Sequence, residues 1–288
     1  DFVWLTLTAA SAVYTAKLPA VRARLAERPR EVALGACGVG GGVAGQTLAW
    51  EAGPLLLVPL ALYFPIVALL NARESRSPLW ASAPLLAGLA VGALLSALAH
   101  LALGWHSAFV AFAPAIVFGG GIAVTALAEA IYRYDSEIDA TLAIGAALSV
   151  GLLGFLGIIT YVIPSFGAAL FARVGILLDS RPIVEYQPLF SLQANGWLIL
   201  LGPPLVVAIP GFVWAALKGV FGERRYLVAA LYAFWLLVMA ALQQRFAGEL
   251  SPFVASFAGF AVMFLAWKVD VANPPAPLDP TDSHPIRL

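Results

Sequence analysis

The chain has 288 residues, 61% of them hydrophobic and only 11% charged, with a mean hydropathy of +0.91. Soluble domains carry about 25% charged residues, so a water-soluble fold is excluded. Sixteen basic residues balance sixteen acidic ones, so overall charge gives no argument for a nucleic-acid partner, and the lone Cys37 excludes disulfide frameworks and CxxC metal sites.

The chain opens on Asp1-Phe2-Val3-Trp4, with no initiator methionine, basic leader or small-residue cleavage site. The stretch itself therefore reads as carrying no signal peptide, and as a piece of a longer protein. A membrane-spanning helix needs roughly 20 apolar residues. In chain order, nine segments meet that demand: 2–17, 32–50, 54–70, 81–103, 107–131, 140–163, 195–217, 226–244 and 250–267. Period-2 alternation is absent, and within lipid the backbone must satisfy its own polar groups, so the segments are expected to be helices. The fold class is thus all-α, a polytopic transmembrane helical bundle. The transmembrane domain covers 1–268 and a proline-rich tail covers 269–288. A further stretch, 165–178, places Phe166, Leu170, Val174 and Leu177 on one stripe and contains Arg173. It reads as an interfacial amphipathic helix in an external loop.

The connections alternate in charge. One set carries Lys17, Arg22, Arg24, Arg28, Arg30, Arg73, Arg76, Arg133, Lys218, Arg224, Arg225, Lys268 and Arg287; the other carries only Arg173, Arg181 and Arg245. The positive-inside rule puts the first set in the cytoplasm of a multi-pass cell-membrane protein. Asp1, the Trp50-Glu51 and Gly104-Trp105-His106 turns, the long loop 164–194 and Arg245 are then expected to face outward.

Several residues invite a chemical reading. Gly40-Gly41-Gly42-Val43-Ala44-Gly45 matches GxGxxG literally, but that motif binds dinucleotides only after a strand and at a helix start. Inside a span, Gly38 with Gly42 and Gly41 with Gly45 read instead as close-approach positions between helices. His100 and His106 lack a cysteine or carboxylate at ligand spacing, a weak zinc signal. Glu129, near the cytoplasmic end of its helix, is expected to snorkel or to pair with Arg133 one turn on rather than to relay protons. Glu185 lies between the helix breakers Pro182 and Pro188 in the longest outward connection. Loops of more than about 12 to 15 residues are usually functional or disordered, and Glu185 reads either as a solvated carboxylate or as a site residue. Arg245 runs against the charge asymmetry; it is either a snorkelling cation paired with Glu249 or a guanidinium fork for a lipid phosphate.

Taken together, these residues resemble a known family: the catalytic subunit of oligosaccharyltransferase, in particular the archaeal AglB type of GT-C glycosyltransferase. Asp1-Phe2-Val3-Trp4-Leu5-Thr6 looks like the helix start that follows the family's second external acidic motif. Pro182-Ile183-Val184-Glu185 resembles its fifth external loop motif, Thr/Ser-Ile/Val-x-Glu. Arg245-Phe246, followed by Pro252-Phe253-Val254-Ala255 and Gly259-Phe260, resembles the helix pair whose arginine holds the lipid-linked phosphate. Trp50-Glu51-Ala52-Gly53 echoes a Trp-Gly-Gly-Tyr turn. The chain departs from the pattern in having Pro182 in place of the loop motif's hydroxyl residue and Glu51 in place of a glycine. It shows neither the first external acidic loop nor a Trp-Trp-Asp-Tyr-Gly motif.

The resemblance implies transfer of an oligosaccharide from a dolichyl phosphate or pyrophosphate carrier to asparagine in Asn-x-Ser/Thr. It makes Asp1 and Glu185 catalytic residues and ligands of Mg²⁺ or Mn²⁺, and makes Arg245 the lipid-phosphate residue. The implied partners are a lipid-linked oligosaccharide, an acceptor polypeptide and membrane lipid, with the active face outside the cytoplasm. The piece of the enzyme represented here is expected to be inactive alone. Two alternatives stay open. One is a different polyprenyl-phosphate-dependent GT-C transferase, which needs no late external glutamate. The other is a transporter, which would show inverted repeats and broken helices at mid-membrane.

Overall fold

A computed structural model describes residues 2–18, 26–49, 53–74, 76–104, 108–133, 140–157, 201–243 and 246–272. These form an antiparallel and parallel bundle: α1 (Phe2–Ala16), α2 (Pro29–Ala49), a 3-10 segment (Gly53–Leu57) running into α3 (Val58–Arg73), α4 (Pro78–Leu103), α5 (Ala108–Arg133), α6 (Ala140–Gly157), α7 (Gly202–Val220), α8 (Arg224–Leu242) and α9 (Ala247–Ala272). Among the described residues there is no strand. Seven of the nine expected spans are helices long and apolar enough to cross a membrane. The other two are α1, with 15 residues, and α6, with 18, which runs up to residues outside those described. The amphipathic stretch 165–178 and the tail from residue 273 on also lie outside the described residues.

Helix starts follow proline. Pro29, Pro59, Pro78 and Pro203 sit in first turns, where the missing N–H has no intrahelical acceptor to lose. α4 ends at Gly104, whose φ of 62° is the left-handed conformation that a side chain resists, and whose N–H donates to His100 O at 2.8 Å. The outward surface is apolar: Leu94, Leu98, Leu101, Val206, Ile209, Val213, Leu217, Met263 and Leu265 are exposed. That is the surface expected where lipid is the solvent.

Glycines set the closest approaches. The α2 glycines meet α1 in antiparallel register, Gly38 against Ser11, Gly42 against Thr8 and Gly45 against the Trp4 ring. A Cβ at Gly42 would come within 2.8 Å of the Thr8 backbone nitrogen. Gly40 faces α4, where a Cβ would meet Val91 at 2.6 Å. The literal GxGxxG is therefore a helix-packing surface with two faces. One pairing differs from expectation: Gly41 meets nothing within 4 Å, and it is Gly38, Gly42 and Gly45 that line the α1 seam. The reason is angular, since at about 100° per residue position 41 falls outside both contacted faces. α2 and α4 run parallel, Val39 against Gly88 and Val43 against Gly92, and a Thr47–Ser96 hydroxyl bond of 2.9 Å closes the far end of that seam.

Among the described residues, Lys17, Arg76, Arg224 and Arg225 gather at one end. There the buried Arg224 fastens three helices: Nη1 donates to Gly219 O and Val220 O at 2.9 Å each, Nη2 donates to Asn71 Oδ1 at 3.1 Å, and Nη2 lies 2.8 Å from Glu74 Oε1. Nearby, Glu129 pairs with Arg133 at 2.8 Å, as expected. It also accepts from Ser77 Oγ at 2.6 Å and from Leu79 N–H at 3.1 Å. The last turn of α5 thus supplies the carboxylate that caps the first turn of α4, where the helix dipole favours a negative charge.

Candidate functional site at the end opposite the basic cluster

The three residues singled out by the resemblance, Asp1, Glu185 and Arg245, lie outside the described residues, as do Trp50, Glu51 and His106. What is described is the helical frame that flanks them. Lys17 after α1, Asn71 of α3 and Arg224 of α8 line one cavity at the basic end. Phe2 of α1 and Leu242 of α8 are therefore at the other end. Trp235 Nε1 of α8 donates to Leu55 O of the 3-10 segment at 2.7 Å, which ties α8 to the start of α3 towards that same end. α7 enters the basic end through Lys218 and Val220, so its first residue, Gly202, also lies opposite. α6 starts beside the basic end, with Ile144 buried against Ala68 and Ala128, and runs away from it. The described residues that flank positions 1, 158–200 and 244–245 thus all stand at one end of the bundle.

This end is finely built. Gln243 N–H donates to Met239 O at 2.8 Å and Phe246 N–H to Gln243 O at 3.2 Å, so the α8–α9 turn is bracketed by two buried anchors. Tyr232 is buried and stacks on Phe253 of α9, with centroids 6.2 Å apart and planes at 11°. Its hydroxyl has no hydrogen-bond partner among the described residues, and neither does the buried side-chain amide of Gln46. Glu249 sits in the first turn of α9, where a carboxylate complements the helix dipole.

Gln46, Tyr232 and Gln243 were not singled out by sequence reasoning. The signal was present, because a polar side chain within an apolar span is costly and so marks function or structural coupling. His100 stacks edge-on against Phe112, centroids 5.8 Å apart. Among the described residues, no group of three or more His, Cys, Asp or Glu is arranged to hold a metal, and both of the metal ligands implied by the resemblance lie outside them.

No family model matches the chain, and no curated protein does. Solved structures of an oligosaccharyltransferase of Archaeoglobus fulgidus, described in one of them as AglB, do match. The complex with an inhibitory peptide and a dolichol-phosphate superposes with a TM-score of 0.70 at 17% identity, covering 93% of this chain and 33% of that one. The apo form gives 0.73 at 16% identity, covering 94% and 33%. A form tethered to an acceptor peptide containing the NVT sequon gives 0.67 at 17% identity, covering 94% and 32%. The chain therefore has the fold of the part of the archaeal oligosaccharyltransferase that it covers, about a third of that enzyme's length, as the motif resemblance implied.

Proposed function

We propose that this chain is the membrane-embedded part of a glycosyltransferase that moves an oligosaccharide from a dolichyl phosphate or pyrophosphate carrier to asparagine in Asn-x-Ser/Thr. The observation that carries the reading is the shared end of the bundle. The described helix ends that flank positions 1, 158–200 and 244–245 stand together, in a fold shared with an enzyme solved with a dolichol-phosphate and with a sequon peptide. Glycosyl transfer from such a carrier releases a lipid phosphate, and the developing negative charge must be neutralised at the membrane surface. Arg245, at the α8–α9 turn, would supply a preorganised planar fork for that phosphate, worth most where water is scarce. Asp1 and Glu185 are hard oxygen donors of the kind Mg²⁺ or Mn²⁺ prefers. The cation, when bound, would act as a Lewis acid on the phosphate oxygens. Glu185 would also grip the acceptor amide, whose nitrogen is a poor nucleophile until its side chain is held.

The test uses the full-length protein in membranes, a dolichyl-linked glycan donor and a fluorescent peptide containing Asn-Val-Thr. Glu185→Gln and Arg245→Leu should each lower glycopeptide formation by about 10²-fold or more, with Arg245→Leu raising the donor KM. Glycopeptide formed at the parent rate by Glu185→Gln would point to a polyprenyl-phosphate transferase with a different acceptor. Parent rates in both variants would overturn the reading.

A further inference from the structure

A polar cavity lies at the end opposite the proposed catalytic face. It measures about 320 Å³ and lies where the ends of α1, α3 and α7 meet the starts of α4 and α8. Among the described residues its charged lining is Lys17, Arg76, Arg224 and Arg225, against the single carboxylate of Glu223. Glu223 is already engaged, with Arg225 Nη2 at 2.6 Å and Lys218 Nζ at 3.5 Å, and its bond from Arg225 holds the carboxyl below the usual glutamate range. Glu74 lies just behind the lining and is shared by Arg224 at 2.8 Å and Arg76 at 3.2 Å. Four cations thus face two carboxylates, and Lys17 has no ion-pair partner among the described residues.

The wall of the cavity is held by a hydrogen-bond network. Asn71 is 2% exposed and its Oδ1 accepts from Arg224. Arg224, 8% exposed, spends both terminal nitrogens on Asn71, Glu74, Gly219 and Val220, which fixes its charge beside the cavity. The surplus of cations over carboxylates in the described lining is complementary to an anion. The volume has room for about ten waters at about 30 Å³ each, more than enough for a phosphate with part of its ester.

We propose that this cavity binds a phosphoryl anion, with Lys17, Arg76 and Arg225 as its charge clamp and the fixed charge of Arg224 beside it. The anion comes either from a phospholipid headgroup of the adjoining leaflet or from a soluble phosphate. The site is independent of the glycosyl-transfer reading, because it lies at the other end of the bundle.

The test measures thermal unfolding and phosphate affinity of the whole chain. In detergent, inorganic phosphate is compared with chloride at matched ionic strength. In nanodiscs, phosphatidic acid is compared with phosphatidylcholine. Stabilisation by inorganic phosphate in detergent would identify a soluble source; stabilisation by phosphatidic acid alone would identify the lipid headgroup. In either case, Lys17→Gln with Arg76→Gln should weaken binding on the order of tenfold or more, while Arg30→Gln, exposed on α2 and outside the cavity, should leave it unchanged. No stabilisation in either arm would overturn the proposal, and so would an equal loss in Arg30→Gln, because binding would then be a general property of the basic end.

Discussion

Arg224→Leu offers the sharpest test of how the basic end is held together. The parent side chain is 9% exposed and donates to four acceptors on three elements: two terminal carbonyls of α7, Asn71 of α3, and Glu74 just beyond α3. Leucine fills the aliphatic part of that volume and leaves every acceptor without its donor. The Asn71 carbonyl is sealed in the core, so its loss alone costs about 1–3 kcal/mol. Glu74 retains Arg76 at 3.2 Å and is a quarter exposed, which tempers the cost of orphaning it. Two weakened carbonyls bring the expected destabilisation to about 3–5 kcal/mol, the range for breaking one side of a buried pair.

At about 2–4 °C per kcal/mol, the melting midpoint in detergent should fall by about 6 °C or more. The decisive comparison is a double-mutant cycle with Glu74→Leu. Once the guanidinium is gone, removing the carboxylate should cost much less than it does in the parent, giving a coupling energy of about 1 kcal/mol or more. Arg224→Leu within about 0.5 kcal/mol of the parent, or a cycle that is simply additive, would refute the reasoning and make the cluster a solvated patch.

Three further outcomes follow from the same structure. Gly42→Leu should disrupt the α1–α2 seam, seen as aggregation or a large loss of folded protein by size exclusion; Gly41→Ala, with nothing within 4 Å, should be neutral or stabilise by up to about 1 kcal/mol from helix propensity alone. Glu129→Ala should lower the melting midpoint by an amount equivalent to about 1–3 kcal/mol, because it uncaps α4, whereas Arg133→Ala should cost under about 1 kcal/mol because its side chain is 67% exposed. In a Cys37→Ser background, needed because Cys37 is exposed, cysteines at 185 and 245 should react with an impermeant maleimide from outside intact cells, and a cysteine at 17 only after lysis. Labelling at 17 but not at 245 would invert the orientation.

The nine described helices were legible because lipid demands long apolar runs and leaves few other ways to satisfy the backbone. Their boundaries were less so. The span read as 32–50 begins at Pro29, and the one read as 81–103 begins at Pro78, because helices continue through proline and polar first turns that hydropathy does not count. Arg224 looked like one more topological charge. Its partners Asn71 and Glu74 lie about 150 residues away in sequence, and no local pattern announces a contact of that separation. The Glu129–Arg133 pair was readable at helical spacing, but the Ser77 bond across 52 positions was not. As for the proposed site, residue type and charge asymmetry made Arg245 stand out, while Asp1 and Glu185 gained their roles through motif likeness. Only the alternation of spans said that all three belong to one face.

The glycine seams of α2 carry a mechanical consequence. α2 is wedged between α1 and α4, with Gly42 against the Thr8 backbone on one side and Gly40 against Val91 and Gly88 on the other. Sliding α2 by one turn, about 5.4 Å, would drive Val39 and Val43 out of the notches at Gly88 and Gly92 and break the Thr47–Ser96 bond. These three helices therefore translate as a single slab. Relative movement among the described helices then falls to the others, the aromatic-rich α7–α9 layer among them, against that slab.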